Sequence, residues 1–166
     1  MIVGHLPSGY VLAKLLAEKV AHIGATPRQI LLACLLGAIA PDFDMLYFHL
    51  VDNGKHHHHT YWSHLPIVWL SSLLLCMLCY KLTSRKKETM LSMLLVLAGI
   101  VHLILDSIVG DIWWLMPLVD KPYSLFGVPA RFDPWWLNFI LHWSFAMEMV
   151  LWLWAYKLWS KGMKRP

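Results

Sequence analysis

Charge is scarce in this 166-residue chain: Asp, Glu, Lys and Arg together make up only 14% of it. Soluble domains carry about 25% charged residues and are about 45–50% apolar. This chain is 58% hydrophobic with a mean hydropathy of +0.54, which excludes an ordinary water-soluble domain. Cysteine is also rare. Cys34, Cys76 and Cys79 all lie in apolar runs. Cys76 and Cys79 have the spacing of half a zinc knuckle, but no second pair exists, so the three read as small core residues. Internal repeats and low-complexity segments are absent. So is the basic start of a cleavable signal, and Lys14, Glu18 and Lys19 interrupt the first apolar stretch. The formal charge of +4 does not read as nucleic-acid binding, because the basic residues form no stripe with interleaved aromatics. They sit where apolar runs end, as lipid headgroups favour.

What the chain has in excess is tryptophan, ten residues, whose indole rings favour the water–lipid boundary. The length leaves room for one domain. The reading is a single integral-membrane helical domain over residues 1–166, an all-α polytopic bundle of four to five helices. Residues 8–25 read as a helix with Lys14, Glu18 and His22 along one stripe, either spanning the membrane or lying at its interface. The next segment follows Thr26-Pro27-Arg28, runs apolar from Ile30 to Ala40, breaks at Pro41-Asp42-Phe43-Asp44 and resumes through Phe48. Residues 52–64 form a polar, histidine-rich loop. Leu65–Leu82 and Met90–Val109 are spans joined by the basic turn Arg85-Lys86-Lys87. An ordered loop rich in Trp, Pro and Gly covers 110–136, and Leu137–Trp159 closes the bundle.

Arg28, Lys81, Arg85, Lys86, Lys87, Lys157, Lys161, Lys164 and Arg165 fall on one side, against Lys55, Lys121 and Arg131 on the other. The positive-inside rule makes the first side cytoplasmic. The C-terminus is then cytoplasmic, and the histidine loop faces the periplasm of a bacterial inner membrane.

Depth is the informative quantity. A helix rises about 1.5 Å per residue through a hydrocarbon core of about 30 Å. On that scale Asp42 and His102 each lie about 18 Å from the cytoplasmic boundary, His142 about 21 Å and Asp106 about 24 Å. The histidine loop enters its span from the same outer side at His64. Ionisable groups at membrane depth are costly and mark functional sites. Imidazole and carboxylate are the ligands of a divalent transition metal, zinc above all. His102 and Asp106, four apart, point from one helix face. Each feature alone has a plainer reading: HxxxD as a structural pair, Asp44 as a helix cap, His56-His57-His58-His59 as a solvated loop. Their shared depth predicts a metal site near the outer face. His5 joins it only if the first helix spans, reaching about 32 Å from Thr26.

With those residues assembled, the chain resembles the bacterial family of membrane-bound, metal-dependent hydrolases that includes LexA-regulated inner-membrane members. The likeness rests on His5-Leu6-Pro7-Ser8-Gly9, Gly37-Ala38-Ile39-Ala40-Pro41-Asp42-Phe43-Asp44, His58-His59-Thr60-Tyr61-Trp62-Ser63-His64 and His102-Leu103-Ile104-Leu105-Asp106. That family is similar, more distantly, to zinc-dependent phospholipase C, where an HxxxD and an HxxxE pair hold zinc. Here Ala146 follows four residues after His142, so one or two ions are expected. The resemblance implies hydrolysis; the depth of the site implies a lipid or lipid-linked phosphoester. The expected ligands are His5, Asp42, Asp44, His58, His59, His64, His102 and Asp106, with Asp44 either a ligand or the group that orients an imidazole. His142 is a further ligand or a general acid, and Arg131 holds the phosphate or a headgroup. The alternative is a non-enzymatic metal-binding membrane protein with a structural or regulatory role. Metal transport ranks behind both, since the cytoplasmic halves of the spans after Leu65 carry little polarity.

Overall fold

Seven α-helices are found among the described residues of the computed structural model, which comprise Met1 and residues 3–163. They are α1 (His5–Leu16), α2 (Pro27–Ile39), α3 (Asp44–Leu50), α4 (Pro66–Leu82), α5 (Lys86–Asp106), α6 (Trp136–Ile140) and α7 (Phe145–Met163). Short 3-10 turns join several of them. Among the described residues the β structure is a single bridge, Ile112 to Tyr123, inside the 110–136 loop. The chain is therefore all-helical, as its composition requires.

The sequence explains where two of the helices begin. Thr26 caps α2 reciprocally: its hydroxyl accepts from the Gln29 amide at 3.2 Å, and Gln29 Oε1 accepts from the Thr26 amide at 3.0 Å. Pro27 stands at the first helical position, where its missing N–H costs nothing. Pro66 starts α4 in the same way. At Pro41 the opposite happens: α2 stops, a 3-10 turn spans Pro41–Phe43, and the chain leaves at 54° as α3.

α5 is the central element, packing against α1, α2 and α4, while α7 packs on α1. α2 and α5 run in the same direction, with Ile30 near Leu94 at one end and Ala38 touching His102 at the other. They approach closely because Gly37 faces α5: a Cβ there would stand 2.0 Å from the Leu95 carbonyl oxygen. The core between α1, α2 and α5 is built from small and medium apolar residues such as Ala13, Ala33, Cys34, Ala38 and Leu94. The outward faces are apolar too. Leu74 and Leu75 on α4, Leu32 on α2 and Val150 and Leu153 on α7 are all well exposed, an arrangement that suits lipid and would be an aggregation hazard in water.

By length and composition, one helix suffices to cross a membrane, α5; α2 with α3 passes the same test as a bent pair. α4 is apolar but shorter, and α7 carries Glu148, Lys157 and Lys161. Two helices differ most from expectation, while the span expected over Met90–Val109 is shifted to Lys86–Asp106. The helix expected over 8–25 is α1 plus a separate 3-10 turn at Ala21–Ile23; at 12 residues α1 is about 18 Å long. The helix expected over 137–159 is broken between Ile140 and Phe145. Lys164 and Arg165 lie outside the described residues.

Candidate metal centre

Four chain segments meet at the end of the bundle opposite the Arg85–Lys87 turn. α5 delivers His102 and Asp106 in its last two turns, both fully or almost fully buried. The 3-10 turn after α2 delivers Asp42, and the first residue of α3 is Asp44. Two further 3-10 turns in the histidine loop, His58–Thr60 and Trp62–His64, fold His58, His59 and His64 inward. The first residue of α1, His5, stacks on His102 with ring centroids 3.6 Å apart and planes 15° from parallel. All eight sequence-predicted ligands are thus in one neighbourhood. His5 joins although α1 is too short for the span its membership was expected to need: it reaches the site because α1 starts there.

The imidazoles share a hydrogen-bond logic. His102 Nδ1 donates to the Ala38 carbonyl at 2.7 Å, His59 Nδ1 to the Asp111 carbonyl at 3.0 Å, and His64 Nδ1 to Asp44 Oδ2 at 2.5 Å. A ring whose Nδ1 carries the proton presents a lone pair at Nε2. Those three Nε2 atoms converge on carboxylates. From Asp106 Oδ2 they stand 2.9 Å (His102), 3.8 Å (His64) and 3.9 Å (His59) away. His64 and His102 also come within 3.7 and 3.6 Å of Asp42 Oδ1. Nε2 of His64 and of His102 are buried without a hydrogen-bond partner, as is Asp44 Oδ1. Lone pairs aimed at anions in a dry pocket repel unless a cation lies among them; the Met1 amino group meets Asp106 at Oδ1, and on the Oδ2 side, where the three imidazoles gather, the donor set fits a metal ion.

Ligand atoms within 4.8 Å of one another form three groups: His5, Asp42 and His102; His64, His102 and Asp106; and His58, His59 and His64. Asp106 has both oxygens in use. Oδ1 faces His5 Nε2 at 3.2 Å and bonds the amino group of Met1, while Oδ2 faces His59, His64 and His102. In the loop, burial pushes the His59 imidazole down to about 2 and His58 to about 4. Both are therefore neutral near pH 7, the form that binds metal.

Asp44 does not cap a helix: among the described residues its Oδ2 meets only side chains and its Oδ1 has no hydrogen-bond partner. It accepts from His64 and from the Ser63 hydroxyl at 2.7 Å, the carboxylate–histidine support of a metal ligand. Asp42 is the open edge, with 41% of its side chain accessible. It faces a cavity of about 610 Å³ that is also lined by His57, His58, His59, Asp106, Trp135 and Phe139. A larger cavity of about 810 Å³ reaches Asp44 from the other side, walled by Phe43, Tyr47, Tyr61, Trp62 and Trp69.

His142 and Arg131 are not brought into the cluster. They line a smaller cavity of about 230 Å³, which meets the 610 Å³ cavity only at Gly127. His142 lies in the turn between α6 and α7, where its Nδ1 pairs with the Ser144 hydroxyl at 2.8 Å; the depth counted back along a continuous helix does not apply.

A family profile described as "YdjM inner membrane protein" matches residues 1–165. The chain belongs to the YdjM inner membrane protein family. Membership places it in a bacterial inner membrane, in agreement with the apolar outward faces of α2, α4 and α7. The family description gives a location and no reaction. No curated protein and no solved structure matches the chain.

Residue types alone do not reveal several members of this cluster. Ala38 and Asp111 act through backbone carbonyls, which carry no side-chain signal. Ser63 is visible only once Asp44 is opposite it. Gly110 lets His59 approach, since a Cβ there would lie 2.8 Å from the imidazole Cε1.

Proposed function

We propose that this protein is a multi-pass inner-membrane hydrolase that uses a divalent metal, zinc by choice of ligands, on a phosphoester of a lipid or lipid-linked substrate. The observation that carries the reading is the convergence of three Nδ1-anchored imidazoles on Asp106, two of them also facing Asp42, beside an open cavity. His102, His64, His59 and Asp106 would hold the ion, with His5, His58 and Asp42 completing one or two sites. Asp44 orients His64. A bound zinc ion supplies Lewis acidity and lowers the pKa of a water toward about 7.

The chain's own residues supply the rest. Asp42 is the most accessible ligand candidate, so substrate meets the cluster at that edge. Val109, Val128, Trp135 and Phe139 offer the apolar wall that a lipid needs, and Ser124 and Asp111 the polar one. Arg131 and His142 line a separate cavity that touches this one at Gly127, so the reading gives them no step at the ion.

In this reading the ends bearing Arg28, Lys81, Arg85–Lys87, Lys157 and Lys161 face the cytoplasm, and the metal centre faces the periplasm. α2 with α3, α4, α5 and α7 cross the bilayer, and α1 is a shorter inserted helix. The test is direct: zinc-loaded protein in detergent is mixed with phosphatidylglycerol, phosphatidylethanolamine and an isoprenyl pyrophosphate, and phosphorus NMR follows headgroup release. Release by wild type and none by His102→Ala supports the reading; equal rates in both overturn it.

A further inference from the structure

α7 contributes no ligand to the cluster, yet it holds the segment that does. Glu148 is 2% exposed on α7, and its Oε2 accepts from the Val3 amide at 2.5 Å. One helical turn further on, Trp152 Nε1 donates to the Val3 carbonyl at 3.1 Å. Both backbone groups of Val3 are therefore tied to one face of α7. Gly4, which follows, has no side chain to cap α1, and no side-chain cap bond is made there. A Cβ at Gly4 would stand 3.4 Å from Glu148 Cγ and Oε2, so the carboxylate is seated against the backbone just ahead of the helix.

His5 comes next. Its ring is buried, stacks on His102 and turns Nε2 to Asp106 at 3.2 Å. Its position depends on where α1 begins, which two ties fix: the Met1 amino group on Asp106 ahead of Val3, and the hold of α7 on Val3 itself. The bond from Ser8 Oγ to the His5 carbonyl is internal to α1. Ionised groups that accept backbone N–H bonds make stronger contacts than neutral ones, and a buried carboxylate without such donors would be costly.

We propose that Glu148 is a positioning residue of the metal centre: by clamping the backbone at Val3 it sets His5 on the face of His102. The proposal rests on the metal reading of the cluster.

The test is a double-mutant cycle on the full chain in detergent, with zinc as the probe, alongside hydrogen exchange of metal-free protein. If Glu148 acts through His5, Glu148→Ala weakens zinc binding by about tenfold or more, within the range for residues that support ligands. Glu148→Gln, which keeps an acceptor for the Val3 amide, stays within about threefold of wild type. The pair His5→Ala/Glu148→Ala is then no weaker than His5→Ala alone, because two residues acting as one unit do not add. In metal-free Glu148→Ala, exchange rises over residues 5–10 and not in α5. Additive losses, unchanged exchange at residues 5–10, or equal damage from Gln and Ala would each overturn the proposal while wild type still binds zinc. A wild type that binds no zinc would overturn the metal reading itself, and the positioning role with it.

Discussion

His102 uses its two ring nitrogens differently: Nδ1 donates to the Ala38 carbonyl at 2.7 Å, and Nε2 stands 2.9 Å from Asp106 Oδ2, one turn along the same helix. The first contact fixes the tautomer and ties α5 to the end of α2. The second places a lone pair against a carboxylate. His102 to Gln tests this pairing, because the amide can replace one contact but not present an imidazole nitrogen to an ion. Zinc affinity should fall by more than about 100-fold, with the helical circular dichroism unchanged. Unaltered affinity would remove His102 from the ligand set.

Asp44 holds His64 rather than facing the open cavity beside Asp42. Asp44→Asn should therefore weaken zinc by about 10–100-fold while full stoichiometry is recovered at saturating metal. Complete loss of stoichiometry would make Asp44 a ligand in its own right. Isothermal titration separates the two.

Gly37 sets the distance between α2 and α5. A methyl group added there would overlap the Leu95 carbonyl oxygen and crowd Ala98 Cβ at 2.9 Å. Both neighbours belong to packed helices, so the backbones must part. Gly37→Ala should cost about 1–3 kcal/mol, seen as a lower thermal midpoint in detergent. Because Ala38 and His102 sit beside the displaced contact, zinc affinity should drop as well.

Acid sensitivity follows from the loop histidines. Burial lowers His59 from 6.5 to about 2 and His58 from 6.5 to about 4. As pH falls through 6.5 the unfolded chain takes up protons that the folded chain refuses. The contribution of these two rings to the stability of metal-free protein is then full above about pH 6.5 and declines below it. Thermal unfolding of chelator-treated protein between about pH 7.5 and about pH 5 reads this; His59→Gln should flatten the slope. A midpoint that rises on acidification would contradict the burial of these rings.

Much of this was legible in residue order. The Pro41 break, the four-residue spacing of His102 and Asp106, and the 1.5 Å helical rise put Asp42, His102 and Asp106 in one layer, and they do meet. The errors came from helix ends. Nothing in Leu141-His142-Trp143-Ser144 marks a break, for it holds neither Pro nor Gly, yet the helix restarts at Phe145. α1 ends at Leu16, just ahead of Glu18 and Lys19, and His5 reaches the site from a helix too short for a full span. Carbonyl partners such as Ala38 and Asp111 are fixed by tertiary packing and leave no mark on composition. Glu148 was recognisable as a costly group, but its partner, the amide of Val3, was not.

The most direct test is elemental analysis of protein purified without a histidine tag, beside His102→Ala and Asp42→Ala. The account predicts stoichiometric zinc in wild type and its loss in both variants, with helical content retained. Wild type that holds no metal even after zinc is supplied would contradict it, and the converging imidazoles and carboxylates would then be a structural network closing the outer end of the bundle.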